Sequence, residues 1–186
     1  MKFTTRRFIL TGLAAVIAAV VAIVLREMPY VNWMPVYPPV DTRPLIIRAD
    51  ARGDGHFMAA RNGNRRHRGI DLTAKLDSPV YAIRSGKVID AGTHKGLGTY
   101  VEIKHSNNLT SLYAHLQQSH VKQGQRLAQG SIIGTVGKTG NAKHKWIQPH
   151  LHLEVRRAGQ PIDPNDLGLG VASSFLKQGN SSAQGG

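Results

Sequence analysis

The stretch Pro149-His150-Leu151-His152-Leu153-Glu154 lies near the C-terminal end of the chain and predicts a β-strand with two different faces. Successive side chains of a strand point to opposite sides of the sheet. One face therefore carries His150, His152 and Glu154, and the other carries Leu151, Leu153 and Val155. The leucine face can bury itself in a core and hold the histidine face rigidly over a groove. Two imidazoles at a fixed separation suit a metal ligand beside a proton-handling group.

A second cluster of potential ligands lies upstream, at His67-Arg68-Gly69-Ile70-Asp71. We expect Gly69 to let the backbone turn sharply between His67 and Asp71. With one of His150 and His152, these two side chains would form a site of two histidines and one carboxylate. Three protein ligands leave a fourth position for water, which is typical of a catalytic zinc site. Residue chemistry alone leaves open which of His150 and His152 binds the metal.

A third stretch, Leu112-Tyr113-Ala114-His115-Leu116, lies between the first two and also predicts a strand. Strict alternation places Tyr113 and His115 on one face and the other three side chains on the opposite face. We expect Tyr113 to pack beside His115, with lining of the groove as the alternative.

These stretches resemble the LytM/lysostaphin-type zinc metalloendopeptidases, which cut peptide cross-bridges in bacterial cell walls. The three histidine motifs occur in the right order, and the resemblance extends over roughly residues 50 to 168. The further matching stretches are Pro79-Val80-Tyr81-Ala82, Ser85-Gly86-Lys87-Val88, Gly124 to Gly140, and Ile162-Asp163-Pro164. Two departures are Asp77, where a glycine is common, and Asn107-Asn108, which replaces a glycine turn. Asparagine tolerates the left-handed conformation that such a turn requires.

The resemblance implies that His67, Asp71 and His152 bind Zn²⁺ and that His115 and His150 are active-site histidines that do not bind it. It implies a mainly β fold, with an antiparallel β-sheet or β-sandwich-like domain that carries a groove. The implied activity is hydrolysis of peptide bonds in peptidoglycan stem peptides or cross-links. The alternative is a catalytically silent module of the same fold that binds the wall or regulates another wall hydrolase.

Three other side chains have local interpretations. Glu154, on the histidine face, is a candidate to orient a metal ligand. His105 continues the alternation of Val101 and Ile103, which indicates a buried histidine with satisfied hydrogen bonds. His144 lies in the loop before the paired histidines and is a weaker candidate for contact with substrate.

The N-terminal region predicts one membrane-spanning helix. Residues 8–25 contain no charge and no proline, and 18 residues of helix span about 27 Å. Residues 1–7 form a basic segment with Lys2, Arg6 and Arg7, which indicates a cytoplasmic N-terminus. We therefore expect a single-pass protein of the inner (cytoplasmic) membrane with its catalytic domain on the periplasmic or extracellular side. A cleaved signal peptide and a twin-arginine export signal are the alternatives.

Composition divides the rest of the chain into three parts. Residues 26–50 contain five prolines and predict an extended linker, which could reach roughly 75 Å; packing of this segment on the domain is the alternative. Residues 51–168 predict one domain rich in β-strands. Candidate strands are 80–83, 86–91, 99–105, 110–116, 132–136 and 150–156. Residues 169–186 are rich in Gly, Ser, Gln and Asn, and predict a flexible tail.

Charge and cysteine content limit the chemistry. The chain has no cysteine, so a metal site must be built from His, Asp and Glu. The formal net charge of +13 indicates an anionic partner such as wall polymer or lipid headgroups. The basic residues are scattered and no nucleic-acid-binding motif is present, so we expect no nucleic-acid partner.

Three arginines, Arg65, Arg66 and Arg68, flank His67. Their positive charges would favour the neutral form of His67 and could attract substrate carboxylates. The sequence contains no pattern that indicates an oligomeric state.

Overall fold

A computed structural model describes residues 2–51 and 53–172, and most of the predicted tail lies outside these residues. The N-terminal part is a single helix, α1 (Lys2–Glu27). In the rest, the strands are β1 (Leu45–Ile46), β2 (Ala49–Asp50), β3 (Gly53–Asp54), β4 (Gly69–Thr73), β5 (Pro79–Tyr81), β6 (Gly86–His94), β7 (Gly98–Lys104), β8 (Leu109–Ser119), β9 (Arg126–Leu127), β10 (Ile132–Val136), β11 (His150–Arg157), β12 (Gln160–Ile162) and β13 (Val171–Ala172). Short 3-10 helices are Met28–Tyr30, Gly140–Lys143 and Pro164–Leu167.

One large antiparallel sheet forms the centre of the domain. Its strands follow the order β12-β11-β8-β7-β6-β9, with β4 paired to β11 and with β10 paired to both β5 and β8. Strand β1 pairs with β13 in parallel in a separate two-stranded sheet. The mainly β fold with an antiparallel sheet and one preceding apolar helix is therefore confirmed.

Strand β11 has the two faces that its sequence predicts. Leu151, Leu153 and Val155 are fully buried in the core, and burial of each such side chain contributes about 1.5–3 kcal/mol. His150 and His152 project from the opposite face. Because β11 lies between β8 on one side and β4 on the other, its histidines are held where three strands meet.

The candidate strands all appear, with ends shifted by a few residues. β10 has the predicted bounds, whereas β8 extends three residues further, to Ser119. Strand β4 was not among the candidates. Gly69, which we expected to allow a sharp turn, instead begins β4 and pairs with Glu154. A Cβ atom at Gly69 would lie 2.2 Å from the carbonyl oxygen of Leu153, so the glycine permits close approach of β4 to β11.

The segment predicted as an extended linker packs on the domain over much of its length. Val36, Val40, Leu45 and Ile47 are buried in the main core. The backbone also pairs with the domain, since the Tyr37 amide donates to the carbonyl of Ile83 at 2.8 Å. The extended-spacer prediction therefore does not hold for residues 36–48. Proline favours an extended backbone in both situations, and the apolar residues between the prolines decide which one occurs.

The beginning of the predicted tail is also part of the folded domain. Leu169 is buried in the core, and Val171 and Ala172 form β13. At the other end of the chain, the stretch Gly12–Tyr30, which runs from within α1 through the 3-10 helix Met28–Tyr30, is long and apolar enough to cross a membrane.

Candidate metal centre

Among the described residues, His67, Asp71 and His152 form one group that could hold a metal ion. Asp71 on β4 pairs directly with His152 on β11, and directly opposed residues in antiparallel strands point to the same face. His67 lies two residues before β4. The His67 amide donates to the Ala59 carbonyl at 2.9 Å and its carbonyl accepts from Met58 at 2.8 Å, which fixes its backbone.

The three potential ligand atoms form a compact triangle. Nδ1 of His152 lies 2.9 Å from Oδ1 of Asp71 and 3.0 Å from Nε2 of His67. The third side, from Nε2 of His67 to Oδ1 of Asp71, is 3.1 Å. Two ligand atoms bound to one tetrahedral zinc ion at ~2.0–2.1 Å are about 3.3 Å apart. The donor set and its spacing therefore fit a zinc-sized ion.

Protonation of these groups suits metal binding. Burial by itself raises the pKa of Asp71, but the hydrogen bonds from His152 and His67 outweigh it and hold the pKa well below the usual value. The carboxylate is therefore ionised. Nδ1 of His67 lies 2.9 Å from the carbonyl oxygen of His56. A carbonyl oxygen only accepts, so Nδ1 carries a proton and is held outside the triangle, while Nε2 faces Oδ1 of Asp71 and Nδ1 of His152.

His115 reaches the same face through an irregularity that the sequence did not reveal. Tyr113 pairs with Leu153 on the core face, while Ala114 pairs with His152. Regular alternation would then direct His115 into the core. Its backbone has a positive φ of 61°, which turns the side chain towards the histidines of β11. The prediction that Tyr113 and His115 share a face is therefore wrong. Tyr113 is buried, and its hydroxyl oxygen accepts from the Ile83 amide at 2.9 Å.

His115 and His150 lie side by side next to the triangle. Their ring centroids are 5.1 Å apart, and the centroid of His115 is 5.8 Å from that of His152. Nδ1 of His115 donates to the carbonyl of Thr139 at 3.0 Å, and Nδ1 of His150 donates to the carbonyl of Gln148 at 2.7 Å. In both rings Nε2 is therefore the atom left with a lone pair.

Both imidazoles are neutral at physiological pH. Burial lowers the pKa of His115 to about 3, and its neighbours His152 and His150 act in the same direction because their protonated forms would repel an imidazolium. Burial also lowers the pKa of His150. The structure thus brings all five predicted site residues together, with three in the triangle and two beside it.

Two arginines beside Asp71 were missed by the sequence reasoning. The guanidinium of Arg48 lies 3.8 Å from Oδ2 of Asp71, and that of Arg61 lies 3.7 Å from the same oxygen. Oδ1 is the oxygen that faces the two histidines. Arg48 belongs to the segment predicted as a linker, so no local pattern in the sequence connected it with the site.

Glu154 is paired with two arginines, and its predicted role in orienting a metal ligand stays a prediction. Its buried carboxylate pairs with Arg68 at 3.0 Å and with Arg156 at 3.0 Å. Arg68 is therefore engaged by Glu154, while Arg65 donates to the backbone carbonyl of Asn62 at 3.1 Å. The predicted influence of Arg65, Arg66 and Arg68 on His67 stays a prediction.

The two remaining histidine predictions differ in outcome. His105 is buried, with Nδ1 2.9 Å from the Ser85 carbonyl and Nε2 2.7 Å from the Ser111 hydroxyl, as its alternation predicts. His144 is exposed and stacks on Trp146, with ring centroids 5.0 Å apart. Contact of His144 with substrate stays a prediction.

The class of site follows from its geometry and agrees with comparison to known proteins. An antiparallel β domain that gathers two histidines and a carboxylate in a metal-sized triangle, with two more histidines alongside, defines a metallopeptidase-like centre. Residues 65–164 match the model of peptidase family M23. The chain belongs to this family.

Individual relatives share the family domain over part of their length. The peptidoglycan DD-endopeptidase ShyA of Vibrio cholerae is 35% identical over 112 residues, which are 60% of this chain and 25% of that protein. This chain spans only about a quarter of the curated relatives ShyA, ShyC and Mpg.

Solved structures show the same fold. A zinc-containing peptidase from Vibrio cholerae superposes with a TM-score of 0.57 at 30% identity, covering 73% of this chain and 39% of that chain. The SpoIIQ–SpoIIIAH pore-forming complex gives a TM-score of 0.58 at 27% identity, covering 77% of this chain and 96% of that chain.

Proposed function

We propose that this chain is a zinc-dependent endopeptidase that hydrolyses peptide bonds in peptidoglycan stem peptides or cross-links during cell-wall remodelling. The observation that supports the proposal most directly is the triangle of Nε2 of His67, Oδ1 of Asp71 and Nδ1 of His152, with all three separations between 2.9 and 3.1 Å. Membership of peptidase family M23 and similarity to a peptidoglycan DD-endopeptidase support the substrate class.

Each residue of the centre has a role that follows from its protonation and position. His67, Asp71 and His152 would hold zinc, which supplies a Lewis acid for the scissile carbonyl and a bound water of lowered pKa. Asp71 is already ionised, so metal binding requires no proton loss from it. Their positions on or beside paired strands keep the ligand spacing fixed.

His115 and His150 are the proton-handling groups in this proposal. Both rings are neutral and both present Nε2, while their Nδ1 atoms are held by backbone carbonyls. A neutral Nε2 can accept a proton from an attacking water and return it to the leaving amine. The imidazolium formed in this way can also donate to developing negative charge on the carbonyl oxygen.

The test uses the full-length protein in detergent with purified peptidoglycan and defined cross-linked muropeptides. We expect soluble products of peptide hydrolysis that disappear with a chelator and return when zinc is restored. His152→Ala should lose both zinc and activity. His115→Ala should keep its zinc and lose about 10²–10⁴-fold in kcat. The surface variant His120→Ala is the matched control and should behave as the unmodified protein.

A catalytically silent module is the second candidate, because the same fold also occurs in a complex described as pore-forming and not as a peptidase. The two candidates differ in one measurement. Zinc bound stoichiometrically with no product from any muropeptide would contradict the enzyme and support the silent module.

We further propose that α1 anchors the protein in the inner membrane, with the domain on the periplasmic or extracellular side. The stretch Gly12–Tyr30 supports this by length and composition. Extraction of the membrane fraction with alkaline carbonate should leave the full-length protein in the pellet. Protease added outside spheroplasts should digest the domain. A shortened mature protein released to the soluble fraction would instead indicate a cleaved signal peptide.

A further inference from the structure

The chain that follows α1 is fastened to the domain within a few residues of the helix end. The carboxylate of Glu27, the last residue of α1, accepts from both terminal nitrogens of Arg126, at 3.2 and 2.6 Å. The same guanidinium lies 4.0 Å above the ring of Tyr30. Exposed ion pairs contribute little to stability because solvent screens them, so this contact orients the helix end but does not hold it alone.

Buried hydrogen bonds supply the stronger attachment. The buried side chain of Gln129 accepts from the amides of Trp33 and Met34 at 3.0 and 3.2 Å, and it donates to the carbonyl of Met34 at 2.9 Å. One residue earlier, the side-chain oxygen of Asn32 accepts from the amide of Ser85 at 2.7 Å. Fewer than six residues of chain therefore separate the end of α1 from fixed contacts with the domain.

The outer side of this attachment is apolar and aromatic. Trp33 is 66% exposed and Val31 63% exposed. The ring of Trp33 contacts that of Tyr37 edge-on at 5.8 Å, and Tyr37 contacts Tyr81 at 5.5 Å. Ile132, 51% exposed, pairs with Tyr81 across the sheet and so shares its face. We call this surface the juxtamembrane patch; its residues are Met28, Val31, Trp33, Tyr37, Tyr81 and Ile132.

We propose that the juxtamembrane patch rests in the headgroup region of the membrane that α1 spans, so that the domain lies on the membrane at a fixed attitude. This inference depends on the anchor proposed above. Six residues reach at most about 20 Å, so Trp33 cannot leave the vicinity of the surface from which α1 emerges. Tryptophan and tyrosine favour the membrane–water interface.

The inference changes where the proposed enzyme can act. An extended linker would have let the domain reach wall polymer far from the membrane. With residues 32–48 packed on the domain, the candidate metal centre stays within about one domain diameter of the lipid surface, roughly 30 Å for a domain of this size. The substrate class is then peptide of wall polymer that lies close to the membrane.

The two tryptophans of the chain provide an internal comparison. The full-length protein is reconstituted into vesicles of phosphatidylcholine and phosphatidylglycerol with brominated acyl chains. Trp146→Phe leaves Trp33 as the only indole, and Trp33→Phe leaves Trp146, which is 51% exposed, as the control. We expect brominated lipid to reduce Trp33 emission about twofold or more and to leave Trp146 emission unchanged.

A second probe tests the domain itself rather than the chain next to the helix. The natural sequence has no cysteine, so Ile132→Cys can carry a single polarity-sensitive fluorophore. The control is Lys95→Cys, which follows the last residue of β6. His94 at that end of β6 lies about 26 Å along the strand from Gly86, the end that pairs with Leu127 of β9, at ~3.3 Å per residue. The label at residue 132 should shift to the blue and be quenched by brominated lipid, and the label at residue 95 should do neither.

The alternatives give different results. A label at residue 132 that reports water overturns the inference, even if Trp33 is quenched. A label that is shielded but not quenched, and that forms disulfide-linked dimers before labelling, assigns the patch to a second copy of the chain instead. Failure of the full-length protein to float with the vesicles overturns the anchor, and this result is recognised before any fluorescence is measured.

Discussion

Acid should destabilise this domain through His105, a buried histidine outside the metal centre. His105 is 6% exposed, and burial, partly offset by its hydrogen bond to the Ser85 carbonyl, lowers its pKa from 6.5 to about 4. Its proton is on Nδ1, since a carbonyl only accepts. In the neutral ring Nε2 carries the lone pair and lies 2.7 Å from the Ser111 hydroxyl, which is itself 3.0 Å from the Tyr113 hydroxyl. Protonation of the ring therefore disturbs a buried hydrogen-bond network.

The size and sign of the effect follow from the two pKa values. Between pH 6.5 and about 4, the unfolded chain binds a proton at His105 that the folded domain refuses. The contribution of neutral His105 to stability is therefore complete above pH 6.5 and is lost as the pH falls towards 4. One pKa unit corresponds to about 1.4 kcal/mol, so the loss is about 2 kcal/mol at pH 5 and about 3 kcal/mol at pH 4.

Two measurements on the full-length protein in detergent test this reasoning. Urea unfolding at pH 7 and pH 5 should show about 2 kcal/mol more acid destabilisation for the natural protein than for His105→Gln. Surface variant His120→Gln should retain the full acid effect. A histidine NMR titration of the natural protein should give a midpoint near pH 4 for His105. A midpoint near 6.5, or equal acid sensitivity in His105→Gln, would refute the argument whatever the stability of the variant.

Three further perturbations test the sheet and the centre. Gly69→Ala places a Cβ atom 2.2 Å from the carbonyl oxygen of Leu153. We expect the free energy of unfolding, measured with urea, to fall by several kcal/mol and zinc binding to weaken. An unchanged urea midpoint would contradict the close approach of β4 to β11. Tyr113→Phe removes the acceptor of the buried Ile83 amide and should cost about 1–3 kcal/mol, again by urea unfolding, with zinc content preserved. Zinc at 100 times its Kd should stabilise the natural protein by about 2.7 kcal/mol, measured by thermal unfolding with and without chelator. His152→Ala should show no stabilisation by zinc. Equal stabilisation of this variant would show that His152 is not a ligand.

The strand that carries the paired histidines was predictable because its two faces differ in polarity. Leu151 and Leu153 must be buried, and alternation then places His150 and His152 together. The same rule failed for His115. A positive φ at a non-glycine residue leaves no trace in a polarity pattern. It accompanies contacts with residues distant in sequence, such as the donation from Nδ1 of His115 to the carbonyl of Thr139 in the loop after β10. The approach of His115 to the centre became predictable only through the family resemblance.

Strand β4 was missed for a different physical reason. It is short, begins with glycine and includes a charged residue, Asp71, and each of these features disfavours a strand in isolation. Pairing with β11 over five residues stabilises it. Local strand propensity and ligand placement commonly conflict at a metal site. A carboxylate inside a sheet lowers the strand propensity of its segment, but it supplies the metal ligand.

Residues 36–48 connect the anchor, the core and the centre, which is why composition alone misassigned them. Val40, Leu45 and Ile47 are almost completely buried, and loss of three such side chains would remove about 5–9 kcal/mol, comparable with the whole stability of an ordinary domain. The same segment places Arg48 3.8 Å from Oδ2 of Asp71. A free spacer could neither fill the core with these side chains nor hold Arg48 beside Asp71. The segment therefore belongs to the folded domain, and the attachment of the domain to its helix, the packing of its core and the surroundings of its metal-binding carboxylate depend on one continuous piece of chain.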